Sequence, residues 1–285
     1  MFIDLGPAIA SAANTAVEWL VTQHGDAFEA VTNALLVPLV ALESLLRAAP
    51  PWLILLLVGA IAYFASRRVA LSLVLVVLTW LVGCLGLWEQ AMQTVAIVLV
   101  SVALAIVIGI PVGILLARSD RTRIVITPIL DLTQTIPSFV YLIPAAMLFG
   151  LGKVPAILAT VVFATPPLIR LTDLGLRQVN REVIEASRSF GATRGQMLWG
   201  IELPLALPSI MQGVNLTTMS ALSMVVIASM IGARGLGETV LLGLQRGDPG
   251  TGLIGGLAIV ILAVVLDRIT QAYGRRLQSP HMAGG

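Results

Sequence analysis

The chain has 285 residues, of which 58% are hydrophobic and only 11% charged, with a formal net charge of +2. A soluble domain carries about 25% charged residues, so this composition excludes an ordinary soluble enzyme and points to a polytopic membrane protein, all-α in its spans. One cysteine, Cys84, and two distant histidines, His24 and His281, leave no material for a disulfide framework or a His/Cys metal cluster.

Residues 1–49 hold Asp4, Glu18, Asp26, Glu29 and Glu43 against Arg47 alone, a formal −4 that favours the non-cytoplasmic side. The start has no basic n-region and does not read as a cleaved signal peptide. Ala30–Leu46 has Leu and Val on one side, with Pro38 expected to kink it. It reads as an amphipathic helix lying on the outer membrane surface, with a membrane span as the alternative.

Residues 50–88 form a peripheral pair of spans. The first, Trp52–Ser66, stops at Arg67-Arg68; the second, Val69–Leu87, carries Trp80 and Trp88 towards its outer end as interface anchors. Residues 89–276 form the core. Ala91–Ala117 is the third span, with Gly109 and Gly113 as a small-xxx-small pair that lets a neighbouring helix approach closely. Ile124–Gly150 is the fourth, broken by Pro128, Pro137 and Pro144, and so bent or partly unwound, as helices lining a cavity often are. Val154–Ile169 is the fifth, with Pro166-Pro167 marking its inner end. Leu205–Ala233 is the sixth. A polar hairpin follows, with a short helix at Glu238–Leu244, and Leu253–Tyr273 is the seventh. Residues 277–285 are expected to be a disordered tail.

Between the fifth and sixth spans lies 182–204, EVIEASRSFGATRGQMLWGIELP, in or beside which Arg170, Asp173, Arg177, Arg181, Glu182, Glu185, Arg188, Arg194 and Glu202 gather. Glu185–Phe190 favours a short helix, and Gly191 stands where a C-cap would stop it. A second run, Thr193–Glu202, leads to Leu203 and Pro204, a proline suited to the first turn of a new helix. With this stretch inside, Arg67, Arg68, Arg118, Arg121, Arg123, Arg170, Arg177, Arg181, Arg188, Arg194, Arg268, Arg275 and Arg276 are cytoplasmic. Arg47, Lys153, Arg234 and Arg246 are outside. That is thirteen basic residues against four, with the N-terminus outside and the C-terminus in the cytoplasm.

Polar groups at membrane depth are mild. Asp131 is the one acid in the fourth run and must face protein or water; a structural hydrogen bond near the inner mouth is the preferred reading. Gln134 and Thr135 precede Pro137, and Asn215, Met219 and Ser223 form an i, i+4, i+8 stripe in the sixth run. These six are the candidates for a translocation pathway. For the stripe, simple helix–helix hydrogen bonding stays open as the alternative. No catalytic constellation occurs, and no G-x-x-x-x-G-K-[ST] loop for ATP.

The spacing Glu185-Ala186-Ser187, then Gly191, Ile201 and Leu203-Pro204 resembles the EAA loop of ATP-binding-cassette (ABC) importer permeases, with Ser187 the one departure from the family pattern. The stretches 131–144, 164–170 and 221–232 resemble, within that class, the permease subunit of glycine betaine/proline/choline importers. The resemblance covers 90–276 strongly. It implies a type I ABC importer permease fold of about seven spans in a bacterial inner membrane, a transport subunit and not an enzyme. It implies a homodimer, two cytoplasmic ATPases that hold ATP and Mg and dock on Glu182, Glu185, Ala186, Ser187, Gly191, Ile201, Leu203 and Pro204, and an extracytoplasmic substrate-binding protein. No cofactor or metal on this chain and no nucleic acid is expected. Aromatics are too few and scattered for a quaternary-ammonium cage, which therefore belongs on the binding protein. Glycine betaine, choline and proline are not distinguished, and another amino acid or amine, or a secondary transporter, stays as the alternative.

Overall fold

The computed structural model describes residues 5–278, and the backbone of these is helical almost throughout, with no strand among the described residues. The elements are α1 (Gly6–Ala48), α2 (Pro51–Ser66), α3 (Val69–Cys84), α4 (Trp88–Arg118), α5 (Asp120–Thr135), α6 (Leu142–Phe149), α7 (Lys153–Arg177), α8 (Arg181–Ser189), α9 (Arg194–Met197), α10 (Leu203–Ala228), α11 (Leu236–Arg246) and α12 (Pro249–Gln278). The expected tail 277–285 lies outside the described residues, apart from the two positions that close α12.

Among the described residues, five helices are long and apolar enough to cross a membrane: α1, α4, α7, the Arg194–Ile231 rod that contains α10, and α12. The fourth apolar run is a broken span. Its α5 half and its Ser138–Phe149 half meet at 107°. The break falls at Ile136-Pro137, where the residue before proline leaves helical space (φ −68°, ψ 129°) and a 3-10 turn, Ser138–Tyr141, follows. Pro128 and Pro144 stay inside their helices. The peripheral pair, α2 and α3, is shorter, at 16 residues each.

Besides the breaks expected at Pro128 and Pro144, three more expectations from the sequence are corrected. Pro166-Pro167 does not end the fifth span; α7 runs on to Arg177. A proline at 167 removes the donor for the carbonyl four residues back, Phe163, and Gln134 Nε2 donates to that oxygen at 3.2 Å instead. No new helix starts at Leu203-Pro204. Thr193 opens α9 with a capping box on Gln196, and the rod continues through a π-turn, Leu198–Glu202, into α10. Bonding there shifts by one residue, with Leu203 N–H reaching Leu198 O, which admits Pro204 without a break. In α1 the departure from helical geometry is at His24 (φ −126°, ψ 22°) beside Gly25, and not at Pro38.

The core is the packing of α4, α7 and α10. It is close because glycines face it. A Cβ on Gly109 would lie 3.0 Å from Leu168, one on Gly113 2.5 Å from Thr172 Cβ, and one on Gly213 3.0 Å from Leu168. Leu168 is fully buried between the three helices. The α2–α3 hairpin packs on the outside of α12.

Two polar ends close this bundle. At one, Arg118 pairs with buried Glu202, and Arg177 bonds both Asp173 and Asp120 while Arg123 reaches Asp173 at 3.3 Å. At the other, Lys153 pairs with buried Glu43, and Arg47 joins Glu43 to Glu89. There too, Leu236 N–H donates to Thr94 Oγ1 at 2.9 Å and Gly152 N–H to Ile231 O at 2.8 Å. Helix α1 meets this second end twice. Phe28 packs edge-on against Phe149 at 5.2 Å, and Glu43 binds Lys153. Those contacts are 15 residues apart, about 22 Å of helix, yet Phe149 and Lys153 flank one turn. This part of α1 therefore runs across the end of the bundle.

Candidate functional site

The charged stretch 182–204 divides into a knob and a stem. Asn180 caps the knob, α8, its side chain accepting from Glu182 N–H at 2.9 Å. No residue of α8 is buried. Glu182, Glu185 and Ala186 are exposed and Ser187 half-buried, its hydroxyl turned back onto Val183 O. Phe190, 93% exposed, ends the helix, and Gly191 follows with φ +81°. That left-handed residue lets Ala192 N–H close on Ser187 O at 3.1 Å. The knob thus exposes small, acidic and apolar groups that no described residue covers.

Ile201, Leu203 and Pro204 belong to the stem. Ile201 and Leu203 are half-buried, and Leu203 and Leu198 pack on Leu168, Leu176, Ala206 and Ile210. Glu202 is the stem's buried charge, tied to Arg118 at the end of α4. On its other side the knob hangs from α7, whose last turn is held by Arg177 to Asp173, Asp120 and the carbonyl of Leu116 at 2.8 Å. α8 thus hangs between the last turn of α7 and the stem that leads into α10.

The six pathway candidates fall in two places. Gln134, Thr135 and Pro137 are exposed at the break in the fourth span. The 3-10 turn after it packs on α7 and α10, with Tyr141 and Phe163 beside Met224 and Ile227. Ser223 is exposed on that same α10 and Met219 is half-buried. Asn215 is engaged elsewhere: it donates to Asp267 of α12 at 3.0 Å and accepts from Thr270. An i+4 step turns a helix by about 40°, so eight residues separate Asn215 from Ser223 by about 80°. Sequence reasoning missed Asp267. It is a carboxylate inside the seventh apolar run, held by Asn215 and by Gln271 at 2.7 Å. A lone acid in such a run was the available signal.

One flank is left bare by the described residues. Along the broken span, Ile124, Val125, Ile129, Leu132, Phe139 and Ile143 are exposed, and Leu130 is the only buried residue of α5. In their midst Asp131 pairs with Arg170 of α7, 57% and 45% exposed. No group of three or more His, Cys, Asp or Glu among the described residues is arranged to hold a metal.

Residues 109–279 match the family of binding-protein-dependent transport system inner membrane components. The chain is 49% identical to the glycine betaine/proline betaine transport system permease protein ProW of Escherichia coli, over 92% of this chain and 74% of that one. It is 43% identical to the glycine betaine/carnitine transport permease protein GbuB of Listeria monocytogenes, over 90% of this chain and 93% of that one. It is 34% identical to the choline transport system permease protein OpuBB of Bacillus subtilis, over 65% and 85%. Among solved structures, the inward-facing MetNI methionine ABC transporter matches with a TM-score of 0.58 and 27% identity, over 68% of this chain and 95% of that one. The architecture is thus that of an ABC importer permease.

Proposed function

This chain belongs to the binding-protein-dependent transport system inner membrane components, and on that premise we propose that it is the permease subunit of an ATP-driven importer for compatible solutes of the glycine betaine, proline betaine or choline type. The observation that carries the mechanism is α8: a capped helix with no buried residue, held by short turns between α7 and the stem that leads into α10. It suits a groove on a cytoplasmic ATPase. Closure of the ATPases on ATP would move the knobs, and the stem would carry that motion to the Gln134–Pro137 break and to Ser223.

Two copies complete the pathway in this reading. An exposed Asp131–Arg170 pair among bare apolar side chains is costly where it faces lipid. Placing that flank against a second copy and a water-filled route removes the cost. The α8 end, with its basic excess, faces the cytoplasm, and the Glu43–Lys153 end receives the binding protein. Aromatic contacts among the described residues are isolated pairs, which supports leaving the tight aromatic cage to the binding protein.

The test is reconstitution of the chain with its ATPase and binding protein in proteoliposomes. Uptake of labelled glycine betaine should require ATP on the ATPase side and be competed by proline betaine or choline. Uptake that survives without ATP and collapses with an ion gradient overturns the reading.

A further inference from the structure

We propose that the recess between the α2–α3 turn and the C-terminal turns of α12 is a binding site for an anionic phospholipid. Four arginines line it, Arg67, Arg68, Arg275 and Arg276, with Ser66 beside them, in a cavity of about 340 Å³. Among the described residues no carboxylate lines it, and Arg67, Arg68 and Arg275 form no ion pair. Arg67 ends α2 in a left-handed conformation (φ +54°), a turn that leaves both arginines of the pair in the recess. Arg276 is fixed by its bond to Phe64 O at 2.6 Å.

Two further observations select a lipid over a soluble anion. The recess continues into an apolar groove that shares Ala65 and Arg276 and is lined by Ile61, Phe64, Met211, Ile269 and Tyr273. A free phosphate has no use for such a groove, whereas an acyl chain fills it. The hairpin is also short. Sixteen residues make about 24 Å of helix against a hydrocarbon core of about 30 Å, so the tip that bears Arg67 and Arg68 sits no farther out than the headgroup phosphates. Basic pockets between membrane helices at that depth bind anionic headgroups. The proposal needs a bilayer around the chain and is independent of the solute transported.

The experiment is native mass spectrometry of the full chain in its detergent-purified complex, titrated with phosphatidylglycerol or with phosphatidylcholine of the same acyl chains. Wild type should retain phosphatidylglycerol about tenfold better, and millimolar inorganic phosphate should not displace it. The R68Q/R275Q double variant spares Arg276 and its backbone contact. With two of the four arginines gone, this variant should lose most of the tenfold preference for phosphatidylglycerol and change little towards phosphatidylcholine. Ile61→Trp, which fills the groove and keeps every charge, should also weaken phosphatidylglycerol. Equal retention of the two lipids by wild type, unchanged retention in both variants, or displacement by inorganic phosphate overturns the site.

Discussion

At the scale of single residues, two glycines one turn apart make different demands. A Cβ on Gly109 meets the flexible end of Leu168 at 3.0 Å, which can rotate aside. A Cβ on Gly113 meets Thr172 Cβ at 2.5 Å and the Ile169 carbonyl at 2.9 Å, and neither can move without shifting α7. Overpacking of this kind costs about 1–3 kcal/mol. Gly113→Ala should therefore lower the melting temperature of the purified chain clearly, and Gly109→Ala much less. Equal melting temperatures would mean that α4 and α7 are not in rigid contact. The close approach was legible as Gly-x-x-x-Gly in the sequence. Which of the two faced backbone was not, because that depends on the register of α7, sixty residues on.

At the scale of the element, α8 owes its shape to its caps. Asn180 starts it and Gly191 ends it, and at Gly191 nothing lies within 4 Å of an added Cβ. Space is no obstacle there; the backbone angle is. Asparagine tolerates left-handed space, whereas a β-branched residue does not. Gly191→Asn should then keep most of the ATPase docking and substrate-stimulated ATP hydrolysis. Gly191→Val, at a cost of roughly 1–2 kcal/mol, should impair both while membrane insertion stays normal. Wild-type docking and hydrolysis in the valine variant would remove α8 from the coupling role. The stem carries a lesson of the opposite kind. Leu203-Pro204 has the signature of a helix start, but a π-turn absorbs the proline. Rules for helix ends describe an isolated segment, and here Glu202 and Leu203 are already held by Arg118 and Leu168 from other helices.

For the whole molecule, the charge asymmetry predicts the orientation. Thirteen basic residues lie on the α8 side of the expected topology and four on the other. Asp26 and Arg188 are both exposed. In a chain with Cys84 replaced by serine, a cysteine at Asp26 should react with an impermeant thiol reagent added to intact cells. One at Arg188 should react only after the membrane is opened. The reverse pattern would invert the molecule and place the knob on the wrong side for an ATPase.

Composition, apolar runs and spacing determined the class of this protein, its helices and its knob, because each is a local property. A span needs only a length of apolar chain, a cap only its own few residues, and the EAA spacing only 20 consecutive positions. What joins the helices was decided by the tertiary structure. Gln134 serves the carbonyl freed by Pro167, Asn215 belongs to Asp267, and Arg118 belongs to Glu202 across 84 residues. Four arginines from two distant turns close one recess. The three bonded pairs exist because a polar group packed into an apolar bundle demands a partner. The sequence states the demand, and only packing selects which residue meets it.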